Sequence, residues 1–200
     1  MLIERLVKFE RKKVLLIVPK SGREPVWESA LRTYLPELFG VFSNLVVINH
    51  TDLQRGGDWI ERLQRIKDQA DVVVVDEAHH FRNPSTKKDT SRYWQMQDLA
   101  KDKQVFMLTA TPINNRLIDL QHLIEHFTQR DAGHFKETLG IHSLPGYFRK
   151  LEKNLAQRMG GELIESELPG IEAGDLLSHD GLFRSLVVQR SRAYVKQSQI

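Results

Sequence analysis

Two acids, Asp76 and Glu77, directly follow the apolar run Val72–Val75 in the stretch VVVVDEAHHFRN. A carboxylate at the end of a buried strand suits a hydrated magnesium ion, because a hard cation prefers oxygen ligands and bridges to phosphates. The second carboxylate could accept a proton from water that attacks a γ-phosphoryl group. Acids in this position also cap turns, and these residues alone leave the catalytic and capping interpretations about equal.

Two histidines, His79 and His80, come next in the same stretch. Adjacent side chains point in different directions, which does not suit shared metal coordination. The pattern favours one histidine as a polar relay and the other as a surface residue.

A second polar cluster occurs in VFMLTATPINN, where Thr109 and Thr111 follow another apolar run. Their hydroxyls could sense the acids or a phosphate at a neighbouring strand end. The alternative is a plain turn in which Asn114 or Asn115 caps the next helix, and that role is compatible with the first. Two strands that both end in polar residues make a functional site the favoured interpretation.

Short apolar runs without polar alternation predict the strands that position these residues. Such runs are typical of parallel strands covered on both faces. They lie at Val14–Val18, Leu45–Asn49, Val72–Val75 and Val105–Leu108. Stretches with helical spacing separate the runs, and another follows the last. We therefore predict an α/β fold with a parallel sheet flanked by helices, in which ligands bind beyond the carboxyl ends of the strands.

Composition sets the class of protein. The 200 residues are 40% hydrophobic and 28% charged, which predicts one globular domain with a sizeable core. The absence of cysteine excludes disulfides and thiolate metal sites. A net charge of +3 does not by itself indicate a polyanionic partner. Without a signal-peptide pattern or a long apolar run, we expect an intracellular protein, cytoplasmic or nuclear, with no membrane partner.

The two ends of the chain differ from its middle. An apolar stripe of helical spacing begins at Leu2 with no N-cap residue before it, which predicts a chain that starts inside a helix. After Thr128, glycines and prolines recur among short amphipathic pieces. We interpret residues 128–185 as a helical insertion.

Five segments of the sequence resemble one protein family. DEAHHFRN is similar to the nucleotide-hydrolysis motif, and LTATPINN to the coupling motif, of superfamily-two helicase-like ATPases, in the form typical of Swi/Snf-type DNA translocases. VLLIVPKSGREPVW resembles the motif Ia strand and loop with its downstream tryptophan, here Trp27. LVVINHTDL resembles the strand and turn before the DEAH strand, and VVQRSRAYV the segment that leaves the first ATPase lobe.

The resemblance implies a RecA-like lobe of the P-loop NTPase type over residues 1–127, the helical insertion over 128–185, and an exit segment over 186–200 toward a second RecA-like lobe. It also implies ATP and Mg²⁺ as cofactors. In these terms Asp76 would coordinate magnesium and Glu77 would position the attacking water. His79 would link the nucleotide state to the coupling residues Thr109 and Thr111.

Motif Ia implies the nucleic-acid contact. Pro19, Lys20 and Ser21 match the residues that touch the DNA backbone in the family, and a lysine beside a hydroxyl is suited to phosphate. The alternative for Lys20 is a solvated loop charge. The implied partner is double-stranded DNA, bound with little sequence preference and strong salt dependence. Arg82 and the residue after it match the family's Lys/Arg-Asn pair, which we expect to support the DEAH loop.

Departures from the family pattern limit the prediction. Ala110 and Gln189 replace a more frequent Gly and Arg, which are mild changes. No G-x-x-x-x-G-K-[ST] string, the loop that cradles phosphates, occurs in the 200 residues. We therefore expect the first strand and P-loop to be missing from this chain, an ATP hydrolase fragment that alone shows no appreciable turnover, whereas its longer parent hydrolyses ATP with duplex DNA.

Two alternatives come from other functional classes. The chain could be a non-catalytic, degenerate lobe that binds DNA or a protein. It could also be a metal-dependent nuclease using Asp76 and Glu77, although no further acid at a neighbouring strand end completes a two-metal site.

Overall fold

The computed structural model describes residues 2–39, 44–87, 91–111, 113, 117–158 and 179–188. The chain divides into two compact units. The first comprises Met1–Pro112 and Ile118–Asp131, and the second comprises Ile113–Leu117 and Ala132–Ile200.

A four-stranded parallel sheet forms the centre of the first unit. Its strands are β1 (Val14–Val18), β2 (Leu45–Asn49), β3 (Val72–Val75) and β4 (Gln104–Met107). They lie side by side in the order β2-β1-β3-β4. The predicted α/β class with a parallel sheet flanked by helices is confirmed, and the arrangement is consistent with a RecA-like lobe.

Helices connect the strands and extend into the second unit. They are α1 (Leu2–Glu4), α2 (Lys20–Gly22), α3 (Ser29–Tyr34), α4 (Trp59–Gln69), α5 (Arg92–Leu99), α6 (Leu117–Thr128), α7 (Lys136–Leu139), α8 (Leu144–Arg158) and α9 (Gly181–Leu186). Two π-helical segments, Arg5–Phe9 and Arg23–Glu28, continue α1 and join α2 to α3. The predicted helices after β2, β3 and β4 are all present.

The two central strands explain why the apolar runs show no alternation. Every residue of β1 and β3 is buried, because both faces of the sheet are covered. On one face, odd-numbered residues such as Leu15 and Val73 pack in a cluster with residues of α5 and α6. On the other face, even-numbered residues such as Leu16 and Val74 pack with residues near the start of the chain and from α3.

The strand ends meet at one edge of the sheet. Ile17 of β1 pairs with Val75 of β3, which in turn pairs with Met107 of β4. At the last pair between β1 and β2, Val18 is opposite Asn49. The residues that directly follow the four strands therefore lie along one edge of the sheet, and those that follow neighbouring strands, such as β3 and β4, lie side by side. The predicted strand Val105–Leu108 starts one residue earlier than expected, since the Gln104 N–H bonds to the carbonyl of Asp71 at 3.3 Å.

The described part of the second unit is helical. Phe148 and Leu155 of α8 and Leu182 and Phe183 of α9 are buried. Asp180 caps α9 by accepting from the Phe183 N–H at 3.0 Å, and its other carboxylate oxygen accepts from the Tyr147 hydroxyl at 2.5 Å. A helical region near the C-terminus is thus present, whereas its proposed limits of 128 and 185 stay predictions.

Some predicted features lie outside the described residues. These are Pro112, Asn114, Asn115, residues 159–178 of the predicted insertion and residues 189–200 of the exit segment. Among the described residues, no helix has the length and apolarity needed to cross a bilayer.

Candidate functional site

The backbone of Asp76 is held by the neighbouring strand β1 and by the segment that follows β2. Its N–H donates to the carbonyl of Ile17 in β1 at 2.9 Å. Its carbonyl accepts a hydrogen bond of 2.8 Å from His50 Nε2. His50 directly follows β2 and is the first residue of a short 3-10 helix, His50–Gln54. The end of β3 is therefore fixed by β1 and by the segment that follows β2.

The Asp76 carboxylate has a defined hydrogen-bond partner on each oxygen. Oδ2 accepts from the indole Nε1–H of Trp27 at 2.7 Å, and Oδ1 accepts from the Glu77 N–H at 3.0 Å. A carboxylate has about four lone-pair positions, so two bonds leave acceptor capacity for a further ligand. The chemistry of this group therefore fits the predicted magnesium-binding role.

Glu77 adopts a left-handed backbone conformation, with φ 49° and ψ 49°. For a residue other than glycine this conformation costs on the order of 1–3 kcal/mol and persists only where the surroundings enforce it. Two hydrogen bonds with Leu108, the residue after β4, do so: the Leu108 N–H donates to Val75 O at 2.7 Å, and the Ala78 N–H donates to Leu108 O at 2.9 Å. The left-handed residue Glu77 therefore lies between two residues, Val75 and Ala78, that are both hydrogen-bonded to Leu108.

His79 lies between the second acid and the threonines. Its Nδ1 is 3.1 Å from Glu77 Oε2 and 3.4 Å from Thr109 Oγ1. Thr109 Oγ1 also accepts from the backbone N–H of Thr111 at 3.2 Å. The four predicted residues therefore form a continuous polar path from the end of β3 to the segment after β4.

The Thr111 side chain is not part of that path. Thr111 is exposed, and its contact with Thr109 is made by its backbone N–H. The geometry joins it to the site through the chain rather than through its hydroxyl.

A buried histidine behind Asp76 was not identified from the sequence. His50 is 4% exposed, and burial lowers its pKa to about 4. The ring is therefore neutral near pH 7, which suits a single N–H bond to the Asp76 carbonyl. Its edge-on contacts are with His80 and Phe81, at centroid distances of 5.4 and 4.9 Å. The available signal was a polar residue directly after a predicted strand, in LVVINHTDL.

The DEAH loop is tied to α6. Arg82 Nε lies 3.6 Å from Asp119 Oδ2, and both side chains are largely buried. The Phe81 carbonyl accepts a 2.9 Å hydrogen bond from Nε2 of His126, which is fully buried. These contacts give the loop a fixed position relative to the helix that follows the threonines.

The motif Ia residues stand at the same edge of the sheet. Pro19 directly follows β1, and Lys20 and Ser21 are the first two residues of α2. Both are exposed. These residues follow β1 as Asp76 follows β3, and the two strands are neighbours in the sheet.

Metal coordination at this edge would use few protein ligands. Within the described ranges, no group of three or more His, Asp or Glu side chains is arranged to hold a metal ion. Zinc sites need such a group, whereas magnesium is usually bound through one or two carboxylates together with water and phosphate.

Comparisons with known proteins identify the family of the chain. The profile of the SNF2-related domain matches residues 46–163, more than half of the chain. A 70-residue stretch is 37% identical to "Uncharacterized ATP-dependent helicase YqhH" of Bacillus subtilis (strain 168). The match covers 34% of this chain and 12% of that relative, so the chain spans a small part of its length. The chain belongs to the SNF2-related domain family, among the helicase-like ATPases of superfamily two.

Proposed function

We propose that these residues form part of a DNA-dependent ATPase that couples ATP hydrolysis to movement on double-stranded DNA. The observation that carries the proposal is the polar path at the ends of β3 and β4. Along this path Asp76 contacts Glu77, Glu77 contacts His79, and His79 contacts Thr109. Such a path can connect a hydrolytic acid to a second strand that responds to it.

Asp76 would hold the magnesium ion. Bound magnesium neutralises charge on the phosphate oxygens and orients them. Its ligand here would be a carboxylate whose two oxygens each already accept one hydrogen bond, which limits rotation of the group. Little movement is then needed when the nucleotide binds.

Glu77 would accept the proton of the attacking water. Its side chain is 42% exposed, so water can reach it, and its Oε2 lies 3.1 Å from His79 Nδ1. When Nδ1 carries a hydrogen, it can donate a hydrogen bond to the Glu77 carboxylate and hold that carboxylate in one orientation. His79 would then transmit a change at Glu77 to Thr109, whose hydroxyl is the next group along the path.

Duplex DNA would be bound through its backbone. Lys20 and Ser21 provide a cation and a hydroxyl, both exposed, beside the ATPase residues. Contacts of this type do not distinguish bases. The partner of this lobe would be a second RecA-like lobe of the same protein. The protein would act inside the cell, in the cytoplasm or the nucleus.

The proposed DNA contact is tested with the full-length protein that contains these residues. We expect its ATP turnover to rise when duplex DNA is added, independent of DNA sequence. Lys20→Ala should raise the DNA concentration needed for half-maximal stimulation and reduce the salt slope of binding by about 1, because one phosphate contact is lost. Lys101→Ala is the matched control, since Lys101 is exposed and precedes β4 at the opposite edge of the sheet.

Three results would contradict the proposal. Equal effects of the two lysine substitutions would remove Lys20 from the DNA contact. DNA binding without ATP turnover by the wild-type protein would favour the non-catalytic lobe. Metal-dependent cleavage of the DNA would favour the nuclease.

A further inference from the structure

The hydrogen bond between Trp27 and Asp76 has no role in the proposed function. The Trp27 indole donates to Asp76 Oδ2 at 2.7 Å, across 49 residues of sequence, and both groups are partly buried. Trp27 lies in the π-helical segment Arg23–Glu28, and its ring packs against the apolar cluster on one face of the sheet. The position of the donor is therefore set by packing against the core.

The chemistry of indole suits a support for a metal ligand. Indole has one N–H donor and no acceptor, so it orients a carboxylate without competing with it for a cation. It is also neutral and leaves the full negative charge of Asp76 available. A lysine or arginine at this position would make a similar bond but would repel the cation.

The other two tryptophans make a different kind of contact. Trp59 donates to the backbone carbonyl of Asp52 and Trp94 to that of Ser85, at 2.7 and 2.8 Å. Of the three tryptophans in the sequence, Trp27 is the one whose indole N–H is bonded to a carboxylate in the structure. The bond at Asp76 therefore differs from the other two indole bonds in having a charged acceptor.

We propose that Trp27 is a positioning residue for divalent-cation binding at Asp76: its N–H holds the carboxylate in the orientation that binds the ion. This inference rests on the proposed function, because it gives Asp76 the role of metal ligand. The Glu77 N–H holds the other oxygen, and together the two donors restrain the carboxylate against rotation.

The experiment uses the 200-residue chain and manganese(II) as a paramagnetic probe. The indole N–H groups of the three tryptophans give separate signals in a ¹⁵N-correlated NMR spectrum. We expect manganese to broaden the Trp27 signal at concentrations that leave those of Trp59 and Trp94 sharp, and Asp76→Asn to abolish the selectivity. Equal broadening of all three signals, or none, would overturn the proposal.

Substitution of the donor tests its positioning role directly. Trp27→Phe should weaken manganese binding, measured by electron paramagnetic resonance, by about 10-fold or more, as is typical when a group that orients a metal ligand is lost. Trp59→Phe, which also removes an indole bond, should leave it unchanged. Unchanged affinity in folded Trp27→Phe would overturn the proposal, and if that variant does not fold, the broadening in the wild-type chain and in Asp76→Asn decides.

These readouts separate the inference from the ATPase proposal, since neither requires ATP turnover. Selective broadening in a protein whose full-length form does not hydrolyse ATP would support the cation site and contradict the ATPase. Normal ATP turnover of the full-length protein together with full manganese affinity in Trp27→Phe would support the ATPase and contradict the positioning role of Trp27.

Discussion

At the scale of residues, Asp76 is held by two partners from distant parts of the chain, His50 and Trp27. Asp76 and Thr109 could be placed at strand ends from the sequence because each directly follows an apolar run, and Glu77 is the residue after Asp76. The contacts of Asp76 with His50 and Trp27 could not be predicted, because these partners lie 26 and 49 residues away along the chain. Such bonds depend on the order of strands in the sheet, which local patterns do not contain.

Buried neutral histidines predict a dependence of stability on pH. Burial lowers the pKa of His126 to about 4 in the folded protein, from an ordinary value of 6.5. The unfolded chain therefore binds a proton more tightly, so stability is full above pH 6.5 and decreases as the pH falls toward 4. His50 shifts in the same direction and adds to the effect.

Urea denaturation at pH 7 and pH 5 measures this dependence. His126→Gln, which keeps a side-chain donor near the Phe81 carbonyl, should reduce the loss of stability between the two pH values by about 1–2 kcal/mol. His142→Gln is the control, because His142 is exposed. An unchanged pH dependence in His126→Gln would show that His126 can accept a proton without cost in the folded state.

At the scale of elements, helical and strand patterns predict most of the first unit. Strands β1 and β3 are recognisable because complete burial leaves only apolar residues in them. The π-helical segments Arg5–Phe9 and Arg23–Glu28 were not predicted, since their residue spacing differs little from that of an α-helix. The polar contacts that join α5 to α6 were also not predicted, because they pair residues from separate helices.

The contact between α5 and α6 gives a stability prediction. The Tyr93 hydroxyl donates to the buried carboxylate of Glu125 at 2.6 Å, and burial is the main reason that the pKa of Tyr93 is raised. Gln121 donates to the other oxygen of the same carboxylate at 2.8 Å. Tyr93→Phe should lower the free energy of unfolding by about 1–3 kcal/mol, because a buried charged acceptor loses a donor.

Thermal or urea denaturation of the variant provides the measurement. Tyr34→Phe is the matched control, since Tyr34 is 67% exposed and should tolerate loss of its hydroxyl. Equal stability of Tyr93→Phe and wild type would mean that Glu125 is compensated by another group, for which Arg130 at 3.8 Å is the candidate.

At the scale of the whole molecule, the alternation of strands and helices predicts the fold class, and the motifs predict the family. The SNF2-related match over residues 46–163 includes DEAHHFRN, LTATPINN and part of the C-terminal helical region. The limits of the two units are harder to predict from the sequence, because Ile113–Leu117 belongs to the second unit although it lies between two segments of the first. A segment this short leaves no compositional signal.

We propose that the full-length protein hydrolyses ATP and that Glu77 acts as the base. The most direct test is DNA-stimulated ATP turnover by full-length protein carrying Glu77→Gln, with ATP binding measured on the same sample. We predict that turnover falls by about 100-fold or more while ATP binding is retained. Glu61→Gln, which changes an exposed acid of α4, should behave as wild type. Wild-type turnover in Glu77→Gln would contradict the assignment.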